Sequence, residues 1–263
     1  MAGGQTVKTW MKGLWVLCLC SISGVAATAD LLYVKGYVEL LAEDGSVKKS
    51  GKPGDEIDYG ESIRVGKDSR ALVKSSDGMA SVLGANSEMR IKEAGFFDHL
   101  RGAAYYVLSK IPSAAQSRGN NYGVNTTVAT LGIRGTRFLV DLNGDEGQVA
   151  LTEGLINVSA NEGKSFSIES YPDDMTFQEF QAAQKDLFDS FQKDDFKAYQ
   201  ESQKKAFERF KQEFFIQPNQ SVSFDGESVS YQSINEETAA LISELESILK
   251  QVEDDMAENS QNE

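Results

Sequence analysis

The residue of this sequence best placed to do chemistry is Arg134, a charge held between two glycines inside the largely apolar stretch 128–141. Glycines at 132 and 135 let the chain bend sharply there, because glycine adopts backbone angles that are closed to other residues. A guanidinium held at such a point could bind an anion such as a carboxylate. The alternative is a structural corner in which the arginine is buried and paired. We favour the corner and predict that Arg134→Ala lowers stability before it affects any binding.

Other candidates for chemistry are weaker. His99 is the only histidine and no nucleophile elbow accompanies it, so no catalytic triad is expected. The segment Asp141–Asp145 resembles the start of a calcium loop, but Thr152 stands where such a loop needs glutamate, and a hairpin turn fits better. An enzyme that uses Arg134 to hold a carboxylate is the least favoured reading. The sequence therefore predicts no catalytic residue, no metal site and no cofactor.

Residues 1–29 have the parts of a secretory signal. A basic start at Lys8 and Lys12 precedes an apolar run, Leu14–Val25, and the small-residue cleavage pattern Ala27–Ala29. We prefer a cleaved signal to an uncleaved anchor, because the run is shorter than the roughly 20 residues that span a bilayer. The prediction is an exported protein, in the periplasm, without a transmembrane segment after cleavage.

Loss of that segment would remove both cysteines and leave no thiol for a disulfide or a metal. It would also remove two lysines and no acidic residue, so the net charge would change from −14 to −16. This acidity argues against nucleic acid and anionic lipid as partners, since both require a basic face.

Residues 30–170 read as a β domain made of short strands. Turn signals such as Asp44-Gly45, Asp77-Gly78 and Asn143-Gly144 recur about every 8 to 12 residues, which is typical of a sandwich, a barrel or a stacked solenoid. The interval is irregular, so no strict repeat is claimed. Around the glycine pair we predict separate strands at Val128–Leu131 and Thr136–Leu142.

The order of these features resembles the FecR domain, the periplasmic portion of ferric-citrate-type sigma-factor regulators. Its most specific part is Arg134-Gly135-Thr136, followed by an apolar strand and a turn at Glu153-Gly154. Other matching pieces are Gly54-Asp55, Tyr59–Ile63, Ser69–Val73, Ser76–Gly78, Asn86–Ile91 and Gly102-Ala103. The resemblance covers about Val34–Ser159 and implies an all-β periplasmic module of stacked short strands.

The front of the chain departs from the best-known regulators of that family. Those begin with a cytoplasmic helical segment that holds a sigma factor, followed by one membrane span. Here the 29-residue signal stands where both would have to fit. We therefore do not carry the anti-sigma role over to this sequence.

Residues 171–216 predict a long amphipathic helix, starting near Thr176 with Glu179 as its capping partner. Its aromatic residues recur at intervals of 11, which keeps them on one stripe of a nearly straight helix. The stripe comprises Phe177, Phe180, Phe188, Phe191, Tyr199, Phe207 and Phe210. We expect it to pack on its own chain; the alternative is a partner that takes the stripe.

After this helix, residues 217–232 predict a β-hairpin around Asp225-Gly226 that returns to the β domain. Residues 233–263 predict a final helix, capped by Ser233 with Glu236, and an acidic, frayed tail. Its apolar seam, Leu241, Leu245, Ile248 and Val252, is expected to dock against the long helix.

The fold class predicted is thus mainly β with α: a stacked short-strand module, solenoid- or sandwich-like, with an inserted amphipathic helix and a C-terminal helix. The preferred function is a non-catalytic module of the bacterial envelope that binds another protein or a glycan. The alternative is a periplasmic signalling component related to sigma-factor regulators, with its effector on another chain.

Overall fold

The computed structural model describes residues 29–93, 95–108, 122–170 and 213–261. Within these ranges the chain forms one large, open β-sheet and one helix. The early strands are β1 (Ala29–Lys35), β2 (Val38–Leu41), β3 (Val47–Ser50), β4 (Asp55–Ile57), β5 (Ser62–Val65), β6 (Arg70–Ser75), β7 (Ala80–Leu83) and β8 (Glu88–Glu93). The later elements are β9 (Phe96–Val107), β10 (Tyr122–Asn125), β11 (Ala129–Asn143), β12 (Glu146–Ala160), β13 (Ser167–Ser170), β14 (Glu213–Ile216), β15 (Gln220–Asp225), β16 (Ser228–Ser233) and α1 (Glu236–Gln261).

Three long strands, β9, β11 and β12, determine how the sheet is shaped. Each contains a glycine in the left-handed region: Gly102 with φ 75°, Gly135 with φ 59° and Gly154 with φ 95°. β11 and β12 stay paired along their length, but on either side of its glycine each long strand changes at least one neighbour. The sheet therefore bends along this line and divides into two halves that share the long strands.

We call these the helix-covered half and the open half. The helix-covered half runs β4-β1-β6-β7, then through the long strands to β15, β16 and β13. The open half runs β3-β2-β5-β8, then through β9, β10, β11 and β12 to β14.

The main core lies between the two halves. Phe97 belongs to the open half and Tyr106 to the helix-covered half, yet their ring centroids are 6.2 Å apart although both lie on β9. Phe214 on β14 likewise lies 5.7 Å from Tyr231 on β16. Because rings from the two halves meet across a common interior, the architecture is closer to a sandwich than to a solenoid.

A second core lies on the outer surface of the helix-covered half. Alternate side chains of neighbouring strands form a continuous row there: Tyr33, Leu72, Val82, Tyr105, Leu139 and Ala150. The helix α1 packs on this row through its buried residues Ile242, Leu245, Leu249 and Val252. Strands that are apolar on both faces are therefore sandwiched between the main core and the helix.

The final helix differs from its prediction in three ways. It docks on the sheet through the second core. Its cap is Asn235, whose side-chain oxygen accepts a hydrogen bond of 2.8 Å from the Thr238 amide, whereas Ser233 ends β16. It also continues to Gln261, so the predicted frayed tail from Glu253 is largely helical.

The prediction of a mainly β fold with a C-terminal helix is confirmed. The hairpin around Asp225-Gly226 is also present, and β15 joins β12 in the same sheet. In contrast, the structure places 213–216, predicted as the end of the long helix, in strand β14 against β12. Phe214 is buried there, because the alternating pattern of the edge strand places it in the main core.

Two other predictions fall mostly outside the described residues: the signal at 1–28 and the amphipathic helix over 171–212 with all seven residues of its aromatic stripe. The first described residue, Ala29, is fully buried and pairs with Ile57 and Ser75 in β1. In the described ranges, no helix combines the length and the apolar character that crossing a membrane requires.

Candidate binding face

The glycine pair singled out in the sequence forms a bulge inside two continuous strands. Arg134 is paired with Leu155 and Arg137 with Glu153, so the register skips between them. The predicted separation into two strands around this point is therefore wrong, as is the predicted turn at Glu153-Gly154. Both sites are places where a long strand bends.

Close packing explains why glycine stands at position 154. A Cβ built there would lie 2.3 Å from the carbonyl oxygen of Gly135 and 2.8 Å from Cγ2 of Thr136. Thr136 is itself completely buried. Gly135, Thr136 and Gly154 thus meet at one tightly packed bend.

Arg134 itself does not take part in that packing. Its side chain is exposed, and the structure records no ion pair for it within the described ranges. The expectation of a buried, paired arginine is therefore wrong for Arg134. Arg137, which is partly exposed, is the paired arginine instead: its guanidinium lies 3.2 Å from Glu153 and 2.8 Å from Glu246, and so ties the bend to α1.

His99 lies in the main core and is structural. Its Nε2 donates to the carbonyl oxygen of Gly102 at 2.7 Å, and its Nδ1 therefore accepts from the Tyr106 hydroxyl at 2.7 Å. Burial lowers the pKa of His99 to about 4, although the bond to Gly102 acts in the opposite direction. The imidazole is neutral at physiological pH and links the two arms of β9 across the Gly102 bend.

The segment that resembled a calcium loop forms the tight turn between β11 and β12, as predicted. Asn143 pairs with Glu146, and Gly144 with φ 69° occupies the turn. Within the described residues, no group of three or more histidine, cysteine or acidic side chains is arranged to hold a metal ion.

The outer surface of the open half differs from that of the helix-covered half, since no described element packs on it. One part of it is a ladder of alternating charges across β2, β5, β8 and β9. Arg64 lies between Glu88, at 2.9 Å, and Glu39, at 3.5 Å, and Arg101 approaches Glu88 at 3.2 Å. The Tyr37 hydroxyl extends the ladder by donating to Glu39 at 2.5 Å. We call these five residues the charge ladder.

The four charged members of the ladder are placed by register, because each faces the next across the strands. Opposite charges placed directly across a sheet stabilise it modestly, and exposed pairs contribute about 0–1 kcal/mol each. The hydrogen bond to Glu88 raises the pKa of Arg64, so this cation is permanent. The ladder therefore presents a fixed pattern of charge to solvent.

The other part of this surface is apolar. Phe96, Gly123, Gly132, Asn157 and Phe215 lie in one row across β9, β10, β11, β12 and β14. The ring of Phe96 lies over Gly123, since Cε1 is 2.6 Å from where a Cβ would be. Leu155 lies next to this row and is 44% exposed, and Phe215 is 52% exposed. We call Phe96, Leu155 and Phe215 the apolar patch, with exposed Gly132 as its floor.

Sequence reasoning missed the apolar patch, although the sequence contains a signal for it. Each patch residue is next to a buried apolar residue, in the pairs Phe96-Phe97, Leu155-Ile156 and Phe214-Phe215. Successive side chains of a strand point to opposite faces, so two adjacent apolar residues place one on each face. We refer to the charge ladder and the apolar patch together as the open face.

The described residues thus form a bent β module whose long strands turn at glycines with positive φ and whose one outer surface carries a helix. Residues 61–157 match the family model described as FecR protein, which confirms the resemblance drawn from the sequence. The matched segment contains all three bends, at Gly102, Gly135 and Gly154. It also contains Glu88, Arg101, Phe96 and Leu155 of the open face.

Two crystal structures, at 1.65 and 2.50 Å resolution, come from a Parabacteroides distasonis ATCC 8503 protein provisionally named an anti-sigma factor. They align with 65% of this chain at 13% and 14% identity, with a TM-score of 0.40. This chain spans 59% of the length of those structures. No curated protein matches the chain significantly.

Proposed function

We propose that this protein is a non-catalytic, exported module of the bacterial envelope that binds another envelope protein or a glycan through its open face. The observation that carries the proposal is the contrast between the two outer surfaces of the sheet. One is buried beneath α1, whereas the other presents the charge ladder and the apolar patch. A surface that combines fixed charges with exposed aromatic side chains is typical of a recognition site.

The FecR match supports a role related to signalling and regulation. It also gives weight to the alternative, a periplasmic signalling component whose effector is on a separate chain. The signal-like residues 1–29 support export to the periplasm. His99, the only histidine of the sequence, is buried and engaged on both ring nitrogens, which favours binding over catalysis.

The test is capture of partners from native envelope extract by the wild type and by two charge variants. Arg101→Glu places a like charge beside Glu88 and disrupts the ladder, whereas Lys164→Glu changes an exposed charge outside the open face. We expect Arg101→Glu to lower recovery of the specific partner and Lys164→Glu to leave it unchanged, with both variants folded by circular dichroism.

Equal recovery by both variants would exclude the charge ladder as the recognition site. The identity of the captured partner separates the two functions. A sigma-factor regulator or a transporter indicates signalling, and a structural envelope protein or a glycan indicates a binding module.

A further inference from the structure

Arg134 stands beside the apolar patch and makes no ion pair or hydrogen bond through its side chain within the described residues. It lies directly opposite Leu155 in the register of β11 and β12, and both side chains are exposed on the outer surface of the open half. Leu155 and Phe215 are exposed by 44% and 52%. A cation without a protein partner therefore adjoins large apolar side chains on one surface.

Arginine is concentrated on this surface. The described ranges contain six arginines, and four of them lie on the outer surface of the open half: Arg64, Arg90, Arg101 and Arg134. This is so although the whole chain has a net charge of −14. Arginine is enriched in protein interfaces, because its planar guanidinium binds a carboxylate through two parallel hydrogen bonds and also packs on apolar groups. Arg64 and Arg101 are already paired with acids of the charge ladder, whereas Arg134 is not.

We propose that Arg134 and the apolar patch together bind a segment of a partner protein that carries a carboxylate beside large apolar side chains. The carboxylate pairs with the guanidinium of Arg134, and the apolar side chains cover Leu155 and Phe215. This inference rests on the proposed function, since it names the partner chemistry that the apolar end of the open face selects.

The positions of these residues determine the spacing that the partner must match. Leu155 is directly opposite Arg134, and Phe215 is one strand further across the sheet and one row along it. Strands lie about 4.8 Å apart and residues rise about 3.4 Å each, so the Cα atoms of Arg134 and Phe215 are roughly 12 Å apart. An extended segment of about four residues covers this distance. The carboxylate and the apolar side chains therefore belong to one short stretch of the partner.

Gly132 leaves room for such a segment. It is exposed and lies two positions before Arg134, on the same face of β11. A Cβ built there would meet only Asn157, at 3.6 and 3.7 Å, which are ordinary contact distances. The surface above Gly132 is thus lower than at its neighbours and accepts a side chain of the partner.

Other ligands meet only part of this requirement. A neutral glycan would leave the charge of Arg134 without a counterion, and a small anion would leave Leu155 and Phe215 uncovered. A protein segment with acidic and apolar residues satisfies both, and exposed apolar side chains next to arginine are typical of the centre of a protein interface.

Selection from a library of random short peptides, displayed on phage and panned against the purified full chain, tests the proposal. We expect the wild type to enrich peptides in which an aspartate or glutamate lies within about four residues of a phenylalanine, leucine or similar side chain. Parallel panning against Arg134→Glu should not enrich them, because the new carboxylate repels the acid of the peptide.

Fluorescence anisotropy of one enriched peptide then measures how much each part of the site contributes. Arg134→Glu should raise the Kd by at least about tenfold, and Phe215→Ser by about fivefold or more. The matched control is Lys74→Glu, which makes the same change of charge at an exposed position of β6 in the helix-covered half. It should leave the Kd unchanged, with all variants folded by circular dichroism.

The proposal is overturned if the wild type enriches no more peptides than Arg134→Glu, if the enriched peptides lack acidic residues, or if Arg134→Glu and Lys74→Glu have equal effects on the Kd. Binding of an envelope glycan that Arg134→Glu abolishes, without any enriched peptide, would also reject it and would leave the proposed function in place. The partner-capture experiment depends on Arg101, so loss of capture with Arg101→Glu can occur while the peptide experiment fails. The reverse pair of results would confine recognition to the Arg134 end of the surface.

Discussion

At the scale of single residues, two nearby arginines of β11 differ in their surroundings. Arg134, which looked like a buried charge, is exposed, whereas its neighbour Arg137 forms the ion pairs with Glu153 and Glu246. The bulge at Gly135 shifts which side chains face outward, and this shift decides which arginine meets α1. The predicted loss of stability on Arg134→Ala therefore loses its physical basis.

His99 makes folding sensitive to acid. Its pKa is about 4 in the folded protein, below the ordinary value of 6.5, so the unfolded chain binds a proton at higher pH than the folded one. The contribution of His99 is present above pH 6.5 and is lost as the pH falls from 6.5 towards 4. We expect this residue alone to lower the free energy of unfolding by about 2 kcal/mol between pH 7 and pH 4.5.

The measurement is urea unfolding of wild type and His99→Gln at both pH values. The variant is expected to be less stable at pH 7 but to lose less stability on acidification, because glutamine does not titrate. Parallel losses in the two proteins would show that His99 contributes nothing to acid sensitivity.

At the scale of elements, the bends in the long strands determine the fold. A long strand that stayed straight would pair with one set of neighbours, and the two halves could not face each other. Gly102, Gly135 and Gly154 each allow a left-handed residue in the middle of a strand. Gly102 is also closely packed, since a Cβ there would lie 2.6 Å from Cα of Ser87.

Gly154→Ala is expected to destabilise the protein much more than Gly144→Ala. Both glycines have positive φ, 95° and 69°, so both substitutions incur backbone strain. Only at position 154 does the new methyl group also meet Gly135 and Thr136, whereas nothing lies within 4 Å of a Cβ at 144. The difference in free energy of unfolding should be about 1–3 kcal/mol, the usual cost of overpacking. Chemical denaturation of both variants measures it, and equal losses would show that the bend relaxes without cost.

At the scale of the whole molecule, the two outer surfaces of the sheet differ in their composition and in what packs on them. The surface under α1 is apolar along a continuous row of six strands, most of which is buried. The open face carries balanced charge in its ladder and only a local apolar patch. The helix is therefore part of the folded module, while no described element covers the open face.

A matched pair of leucine substitutions tests this asymmetry. Leu245 on α1 is fully buried against the sheet, whereas Leu155 on the open face is 44% exposed. Leu245→Ala should lower the free energy of unfolding by about 2–5 kcal/mol, and Leu155→Ala by less than about 1 kcal/mol. Thermal or urea unfolding of the two variants gives the comparison. A loss of stability at Leu155 as large as that at Leu245 would contradict the contrast between the buried surface under α1 and the open face.

The sequence by itself determined the local features of this protein. Asp-Gly and Asn-Gly turns, alternating strands and the closing hairpin are set by neighbouring residues, since backbone angles and side-chain period are short-range properties. Through the resemblance to the FecR domain it also predicted a structural motif, comprising Gly132, Arg134, Gly135, Thr136, Glu153 and Gly154. The predicted end of the last helix, before Glu253, was too early. An acidic run that lacks Gly or Pro can continue a helix once its preceding turns are docked.

Only the tertiary structure decided how these pieces meet. Ser233 and Asn235 are both good helix caps, and the pairing of β16 with β15 determines that Ser233 stays in the strand. Likewise, 213–216 satisfy a helical pattern, but an open strand edge on β12 is available to them and the main core accepts Phe214. Which surface α1 covers, and which is left as the open face, depends on strand order across the bends. Strand order joins residues far apart in sequence, so no local pattern contains it.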